Sequence, residues 1–318
     1  MTVSTIDDHQ WDQLCGAAPE AGFFHRPEWR AVQGAAMQRF GVLDKKGEVL
    51  AAFQLVRSER NGITLWSHPP FTQHCAFLAD IRSNNTAKRN GDIKRLHSAV
   101  AEFLSGLDGV VTVGFPPEVV DMQPYIWAKC KVVPAYTYRI DLGVGMEAVR
   151  ANYATETRNV IKKALTDGVE VLPATRTEVL PLIEATFDRK AKALDHAKVD
   201  RILSAWLGPA SGFAFQTRYR ERTVAVAFCG FDAHRAYYLL GGHDKTTGHA
   251  GAGALALDRC IREATERGIP QFDLEGSMLP DVERFFRGFG ATLTPYYTVN
   301  RASFLMEVIL KRRWRHLF

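Results

Sequence analysis

Two carboxylates and an arginine stand close together late in the chain, in Phe272-Asp273-Leu274-Glu275-Gly276-Ser277 and the following Val282-Glu283-Arg284-Phe285-Phe286-Arg287-Gly288-Phe289-Gly290. Residues 271–275 alternate polar and apolar, the period of a half-buried strand. Gly276-Ser277 breaks that pattern, and Pro280-Asp281 supplies a helix start with an acidic first turn. A carboxylate at a strand exit can take a proton, and a nearby arginine can stabilise developing negative charge. Strand alternation predicts Asp273 and Glu275 on one face, where each raises the other's pKa. A capped strand–helix junction with no chemistry gives the same pattern.

The Gly-rich stretch Gly241-Gly242-His243-Asp244-Lys245-Thr246-Thr247-Gly248-His249-Ala250-Gly251-Ala252-Gly253 lies between a strand and an amphipathic helix. Glycines admit an anion close to the backbone, and the helix start points unpaired N–H groups and the positive dipole end at it. His243 is a further candidate base. A plain flexible connection is the alternative. Upstream, Arg158 and Lys162 are four residues apart and share a helix face that suits an anion, although Glu156 nearby also fits a solvated face. The run Lys311-Arg312-Arg313-Trp314-Arg315-His316 reads as a solvated helix end or tail rather than as a membrane or RNA contact.

Several classes of chemistry find no support. There is no Walker A pattern, no GxSxG elbow, no HExxH and no metal-ligand cluster among the ten histidines, so no metal is expected. The five cysteines, at 15, 75, 130, 229 and 260, are scattered without a CxxC pair; free thiols are expected, with Cys229 and Cys260 in the core. No window approaches 18 uninterrupted apolar residues, and the polar N-terminus does not read as a signal peptide, which predicts a cytoplasmic protein without a membrane span. Forty basic against 35 acidic residues, net +5, permit a phosphate-bearing ligand without calling for DNA.

The elements that must position these groups interleave strands and helices throughout, the pattern of an α/β protein. A hairpin about Lys45-Lys46-Gly47, a strand at 63–66, a helix over 92–104 and a strand at 110–115 make up the first half. The second opens with a strand at 136–142 and continues with one helix over 146–165 and another over 181–194. Strands at 212–219, 223–232 and 236–241 follow, then a helix over 252–267, the strand at 271–275 and a last strand at 294–299. A length of 318 residues with 46% apolar content suits two cores. Sliding the sequence on itself by 161 puts Pro134, Tyr136 and Thr137 on Pro295, Tyr297 and Thr298, and lays 111–115 on 272–276. A tandem duplication follows, divided at 135 into 1–135 and 136–318. Thr112, Gly114 and Ile126 occupy the places of Asp273, Glu275 and Arg287, so the charged chemistry belongs to the second copy.

The Asp-Leu-Glu-Gly-Ser strand exit with its Phe-Phe-Arg-Gly-Phe-Gly helix resembles the closing part of FemAB-like proteins of the GNAT acyltransferase superfamily, among them FemX-type and BioF2-like members. So do Phe23-Phe24-His25-Arg26-Pro27-Glu28-Trp29, Pro69-Pro70-Phe71-Thr72-Gln73 and Arg158-Asn159-Val160-Ile161-Lys162-Lys163-Ala164. The resemblance implies tandem GNAT-like domains, each a mixed sheet flanked by helices, and an acyltransferase moving an acyl group to an amine. An acyl thioester of coenzyme A is the implied donor, with an aminoacyl-tRNA as the alternative, and no tightly bound cofactor. The implied acceptor is a small-molecule amine or a nucleotide-linked cell-envelope precursor; a non-catalytic scaffold is the other class. Gly248, His249, Gly251, Ala252 and Gly253 then correspond to the pyrophosphate loop, with Gly248 where the family has Arg or Gln. Arg158, Lys162, Gln73, Tyr238 and Phe286 correspond to substrate contacts, and Arg287 to the residue facing the oxyanion. Glu275 or Asp273 is the expected base, with Tyr296 and Tyr297 as alternative proton donors. Oligomeric state is left open.

Overall fold

The computed structural model describes residues 1–189, 195–244, 246, 248–276 and 278–313. Leu194, Lys245, Thr247, Ser277 and the run from Trp314 to His316 lie outside the described residues. In chain order the elements are β1 (Thr2–Thr5), α1 (Asp8–Ala17), a 3-10 turn (Phe23–His25), α2 (Pro27–Gln33), β2 (Met37–Leu43), β3 (Val49–Arg60), β4 (Ile63–Ser67), β5 (Leu78–Ala79), α3 (Thr86–Gly106), β6 (Val110–Gly114), α4 (Gln123–Trp127) and β7 (Lys131–Asp141). Then follow α5 (Met146–Ala151), α6 (Thr155–Thr166), β8 (Glu170–Pro173), α7 (Arg176–Arg189), α8 (His196–Trp206), β9 (Gly212–Tyr219), β10 (Arg222–Phe231), β11 (Ala236–His243), α9 (Ala252–Glu266), β12 (Gln271–Asp273), α10 (Pro280–Arg287), β13 (Thr292–Arg301) and α11 (Phe304–Arg313).

These elements form two compact units, Met1–Ala135 with Pro295–Phe318, and Tyr136–Thr294. The sequence pattern divides the chain once, at 135; the structure returns the last stretch to the first unit because β13 pairs antiparallel with β6, from Thr298 opposite Gly114 to Arg301 opposite Val111. In the first unit β1, β2, β3, β4, β6 and β13 lie in that order, and of these only β4 and β6 run parallel. Phe40, Phe53, Leu55, Val111 and Val113 pack with Leu96, Val100 and Leu104 of α3 in its core.

In the second unit the order is β7, β12, β11, β10, β9, β8, and of these only β11 and β12 run parallel. Leu257, Cys260, Ile261 and Ala264 form the buried stripe of α9, spaced as one helix face requires, and pack with Phe272 and Ile140. Among the described residues each unit thus has a single parallel pair joined through a long helix, α3 in one and α9 in the other. In each, the second parallel strand has an antiparallel partner on its other side.

Local departures from the sequence pattern have physical reasons. The helix expected over 146–165 is two, α5 and α6, because Tyr153 is buried and the Ala154 N–H leaves the helix ladder for the Gly288 carbonyl (2.9 Å). α3 begins six residues before the expected start, capped by Asn85, whose side chain accepts from the Lys88 N–H. α8 is an additional helix, capped by Asp195 and buried through Val199, Ile202, Leu203 and Trp206.

Candidate active site

The site lies where β11 and β12 part. Ala236 opposite Phe272 and Tyr237 opposite Asp273 are their parallel partners; β12 ends there, while β11 continues beside β10 to His243. The Leu274 N–H still donates to the Tyr138 carbonyl on β7 (2.9 Å). Glu275 then adopts φ +55° and Gly276 φ +50°, two left-handed residues in succession. For a glutamate that conformation costs about 1–2 kcal/mol. Glu275 is therefore not the last residue of an alternating strand, and the same-face argument for the two carboxylates does not apply.

Asp273 holds this turn in place. It is buried and accepts from Thr137 Oγ1 (2.5 Å), Arg139 Nε (2.7 Å) and the Glu275 N–H (2.9 Å). Thr137 and Arg139 lie two apart on β7, and Arg139 sits directly opposite Asp273 in the register. With its charge matched by Arg139 and three donors on its carboxylate, Asp273 holds the turn together.

Glu275 differs. Its carboxylate makes no hydrogen bond or ion pair among the described residues. Burial, and after it the Asp273 charge, push its pKa well above the usual carboxylate range, against the opposing pull of Arg235 and Arg139. The residue as a whole is half-buried. Arg235 is oriented by Gln271 Oε1 (2.6 Å) and lies over the Tyr237 ring at 5.8 Å.

Arg287 goes elsewhere. Its side chain is 62% exposed, and its Nε donates to Glu283 Oε1 (2.9 Å), which also accepts from the Tyr138 hydroxyl (2.6 Å). Among the described residues, the arginine that pairs with the strand-end carboxylate is Arg139. Phe286 is buried against the edge of Tyr238, ring centroids 5.9 Å apart, and Phe289 packs likewise on Tyr153 at 5.1 Å. A Cβ on Gly290 would fall 2.2 Å from the Asn152 carbonyl. The aromatic-glycine run after β12 thus packs α10 against α5 and α6.

The glycines of the long loop are largely taken up by close packing. A Cβ on Gly241 would meet the Tyr238 hydroxyl at 1.8 Å, on Gly242 the α7 backbone at Leu182 (2.5 Å), on Gly248 the Asp244 carbonyl (2.1 Å), and on Gly251 the Val160 carbonyl of α6 (2.2 Å). Of the three glycines in 248–253, Gly253 alone has room, its nearest neighbour being His243 Cγ at 3.9 Å. His249 pins the loop. Its Nδ1 accepts from the Gly251 N–H (3.0 Å), its Nε2 lies 3.0 Å from Asp167 Oδ2, and its carbonyl accepts from the Ala252 N–H (2.9 Å). Lys163 and then His249 hold the Asp167 carboxyl below its ordinary range. His243 Nε2 lies 3.2 Å from the His249 carbonyl, and its backbone N–H donates to Thr186 Oγ1 (3.2 Å).

Arg158 and Lys162 are both on α6 and both exposed. Arg158 donates to the Ala151 carbonyl and Thr155 Oγ1 (both 3.3 Å), and neither cation has an ion pair among the described residues. Since the Val160 carbonyl lies against Gly251, these two cations border the start of α9. Gln73, Tyr296 and Tyr297 belong to the first unit. There the Gln73 carbonyl lies where a Cβ on Gly114 would stand (2.2 Å), the Gln73 Nε2 is buried without a hydrogen-bond partner among the described residues, and Tyr297 packs on the core.

The five cysteines are free; burial raises the pKa of Cys15 to about 11 and drives those of Cys75 and Cys229 up as well, which does not suit a thiolate nucleophile. Among the described residues no three His, Cys, Asp or Glu side chains are grouped to hold a metal ion, and no helix is long and apolar enough to cross a membrane. Sequence reasoning missed Arg139 and Thr137, although the alternation of Thr137-Tyr138-Arg139 already puts both on one strand face, and it missed the Asp167–His249 pin, for which no local pattern exists.

The acetyltransferase (GNAT) domain family matches residues 151–287, most of the second unit. The chain superposes over 97% of its length on all of FemX (TM-score 0.66, 13% identity) and over 98% on 97% of L-PGS from Bacillus licheniformis (0.55, 12%). It also superposes over 94% on 96% of a tandem GNAT protein from the clavulanic acid biosynthesis pathway (0.52, 13%). No curated protein matches the sequence. The fold is a tandem of GNAT-like units. Residues 151–287 thus match the acetyltransferase (GNAT) domain family, and the fold of the chain as a whole is similar to that of FemX.

Proposed function

We propose that the protein is an N-acyltransferase that moves an acyl group from an activated carrier to an amino group, with Glu275 as the base. The observation that carries this reading is the Glu275 carboxyl, held by a strained turn at the parting of β11 and β12, free of partners among the described residues and raised in pKa. An amine must lose a proton as it attacks a carbonyl, and a carboxylate of raised pKa accepts it better than an ordinary one. Asp273 positions Glu275 through the backbone. In this scheme Arg287, tied to Glu283, fixes α10 rather than facing the oxyanion.

The proposed donor is an acyl thioester of coenzyme A. Two cations without carboxylate partners among the described residues, Arg158 and Lys162, border the first turn of α9, where Gly253 leaves space and the helix start favours phosphate. The acceptor is a small-molecule amine or a nucleotide-linked precursor. An aminoacyl-tRNA donor is the second reading, favoured by the engagement of the Gly251 and Ala252 N–H groups with His249, which leaves fewer amides for a pyrophosphate.

Release of free coenzyme A from acetyl-coenzyme A with a panel of amines tests the scheme. Glu275→Gln is expected to lower kcat about 10²-fold or more and to remove the rise of rate as pH climbs through the Glu275 pKa. Unchanged turnover in the folded variant sinks Glu275 as base. Thermal stabilisation by acetyl-coenzyme A, lost in Lys162→Glu, supports the thioester; stabilisation by charged tRNA alone transfers the assignment to the second reading.

A further inference from the structure

The C-terminal helix α11 is apolar on two opposite faces. Leu310 and Met306 dock it on Val110, Ala302, Ile63 and Leu65 of the first unit. On the other side Phe304, Leu305, Val308 and Ile309 are 80, 76, 48 and 54% exposed. At 3.6 residues per turn these four span an arc of about 140°. A surface helix normally turns such a stripe inward and shows a polar face to water.

The charges beside the stripe have one sign at its C-terminal end. Lys311 and Arg312 are exposed, and Glu307 is the one acidic residue of the helix and lies 3.9 Å from Lys311. Exposed apolar side chains followed along the helix by cations match the interface of an anionic bilayer: the stripe enters the acyl boundary while the long basic side chains at its C-terminal end reach the headgroups. An RNA backbone would use the cations and leave four large apolar side chains in water, so it fits less well.

We infer that α11 docks the protein on negatively charged lipid surfaces, lying in the plane of the interface with Phe304, Leu305, Val308 and Ile309 toward the lipid and Lys311 and Arg312 at the headgroups. This is independent of the acyl-transfer scheme.

Sedimentation of the full chain with vesicles of phosphatidylcholine, alone or mixed with phosphatidylglycerol, tests it. Binding is expected only to the mixed vesicles and is expected to weaken with salt. The double variant Leu305→Asp/Ile309→Asp should lower affinity by roughly tenfold or more. Lys311→Glu/Arg312→Glu should do so by a comparable factor, since each basic residue near such a surface is worth roughly fivefold. All four side chains are exposed, so the variants keep the wild-type melting temperature. Binding that ignores the apolar double variant overturns the proposal. So does a concentration-dependent dimer that this variant abolishes without vesicle binding, or retention on tRNA in the absence of vesicle binding.

Discussion

The strand ends at β6 and β12 occupy the same place in their units and have been put to different use. β6 lies between parallel β4 and antiparallel β13; β12 lies between parallel β11 and antiparallel β7. In the first unit the strand ends in Gly114, whose N–H donates to His68 Nδ1 (3.0 Å), whose carbonyl accepts from the Cys75 N–H (2.8 Å), and against which the Gln73 carbonyl is packed. The loop from His68 to Cys75 has filled the gap. In the second unit the same position is Glu275, turned out of the strand by a left-handed backbone and left, among the described residues, without a partner for its carboxylate. A shared topology makes the gap; a single residue with its loop decides whether it is filled, as at Gly114, or holds an unpartnered carboxyl, as at Glu275 among the described residues.

The most severe way to break this comparison is to exchange the two residues. Gly114→Glu puts a Cβ 2.2 Å from the Gln73 carbonyl and a charge into a filled gap, so about 3 kcal/mol or more of stability should be lost. Glu275→Gly relieves the left-handed strain and removes a desolvated carboxyl, so the protein should melt no lower than wild type while losing transfer activity. Thermal melts of both variants decide it. Equal destabilisation would mean that the Glu275 turn is structural in the same sense as Gly114.

How much of this was legible in the sequence differs by residue. The repeat, the strand–helix crossovers and the second copy's claim on the charged residues follow from periodicity and from the 161-residue offset. The conformation of Glu275 does not, since alternation extends the strand to a residue whose backbone is turned away by a hydrogen bond to Asp273. Nor could local pattern show that Gly241, Gly242, Gly248 and Gly251 serve close packing, because the atoms they admit come from Tyr238, α7, Asp244 and α6. The break at Asn152-Tyr153-Ala154 was hidden for the same reason: its cause, the Gly288 carbonyl, is more than a hundred residues away.

The units should also answer pH in opposite senses. Burial lowers the His97 pKa to about 4 in the first unit, where its Nδ1 lies 2.8 Å from the Tyr125 hydroxyl, and lowers that of His68 to about 4. Each is neutral when folded and takes a proton near its ordinary value when unfolded. Their contribution is complete above about pH 6.5 and is lost as pH falls toward 4, by about 3 kcal/mol for His97. His97→Gln should flatten that decline in denaturant titrations at a series of pH values. Glu275, with its folded pKa raised, acts the other way: stability falls as pH rises from the ordinary carboxylate value through the folded one. Glu275→Gln should therefore gain on wild type toward neutral pH and lose that advantage near pH 4. A variant that tracks wild type throughout would show that the carboxyl is not desolvated.

The smallest expected change in stability separates packing glycine from ligand glycine within the α9 start. Gly251→Val forces a Cβ onto the Val160 carbonyl at 2.2 Å, so any loss of donor binding there would be confounded with a shift of α6. Gly253 is free of that constraint, since a Cβ there would stand 3.9 Å from its nearest heavy atom, an ordinary contact. Gly253→Val should leave stability within about 1 kcal/mol, because the added side chain replaces a poor helix former in the first turn. If the backbone there meets a phosphate, the isopropyl group stands in its way and donor affinity should fall by roughly tenfold or more, read by calorimetry with acetyl-coenzyme A. Retained affinity in a protein of unchanged melting temperature would remove the α9 start from the donor site and leave Arg158 and Lys162 as its remaining candidates.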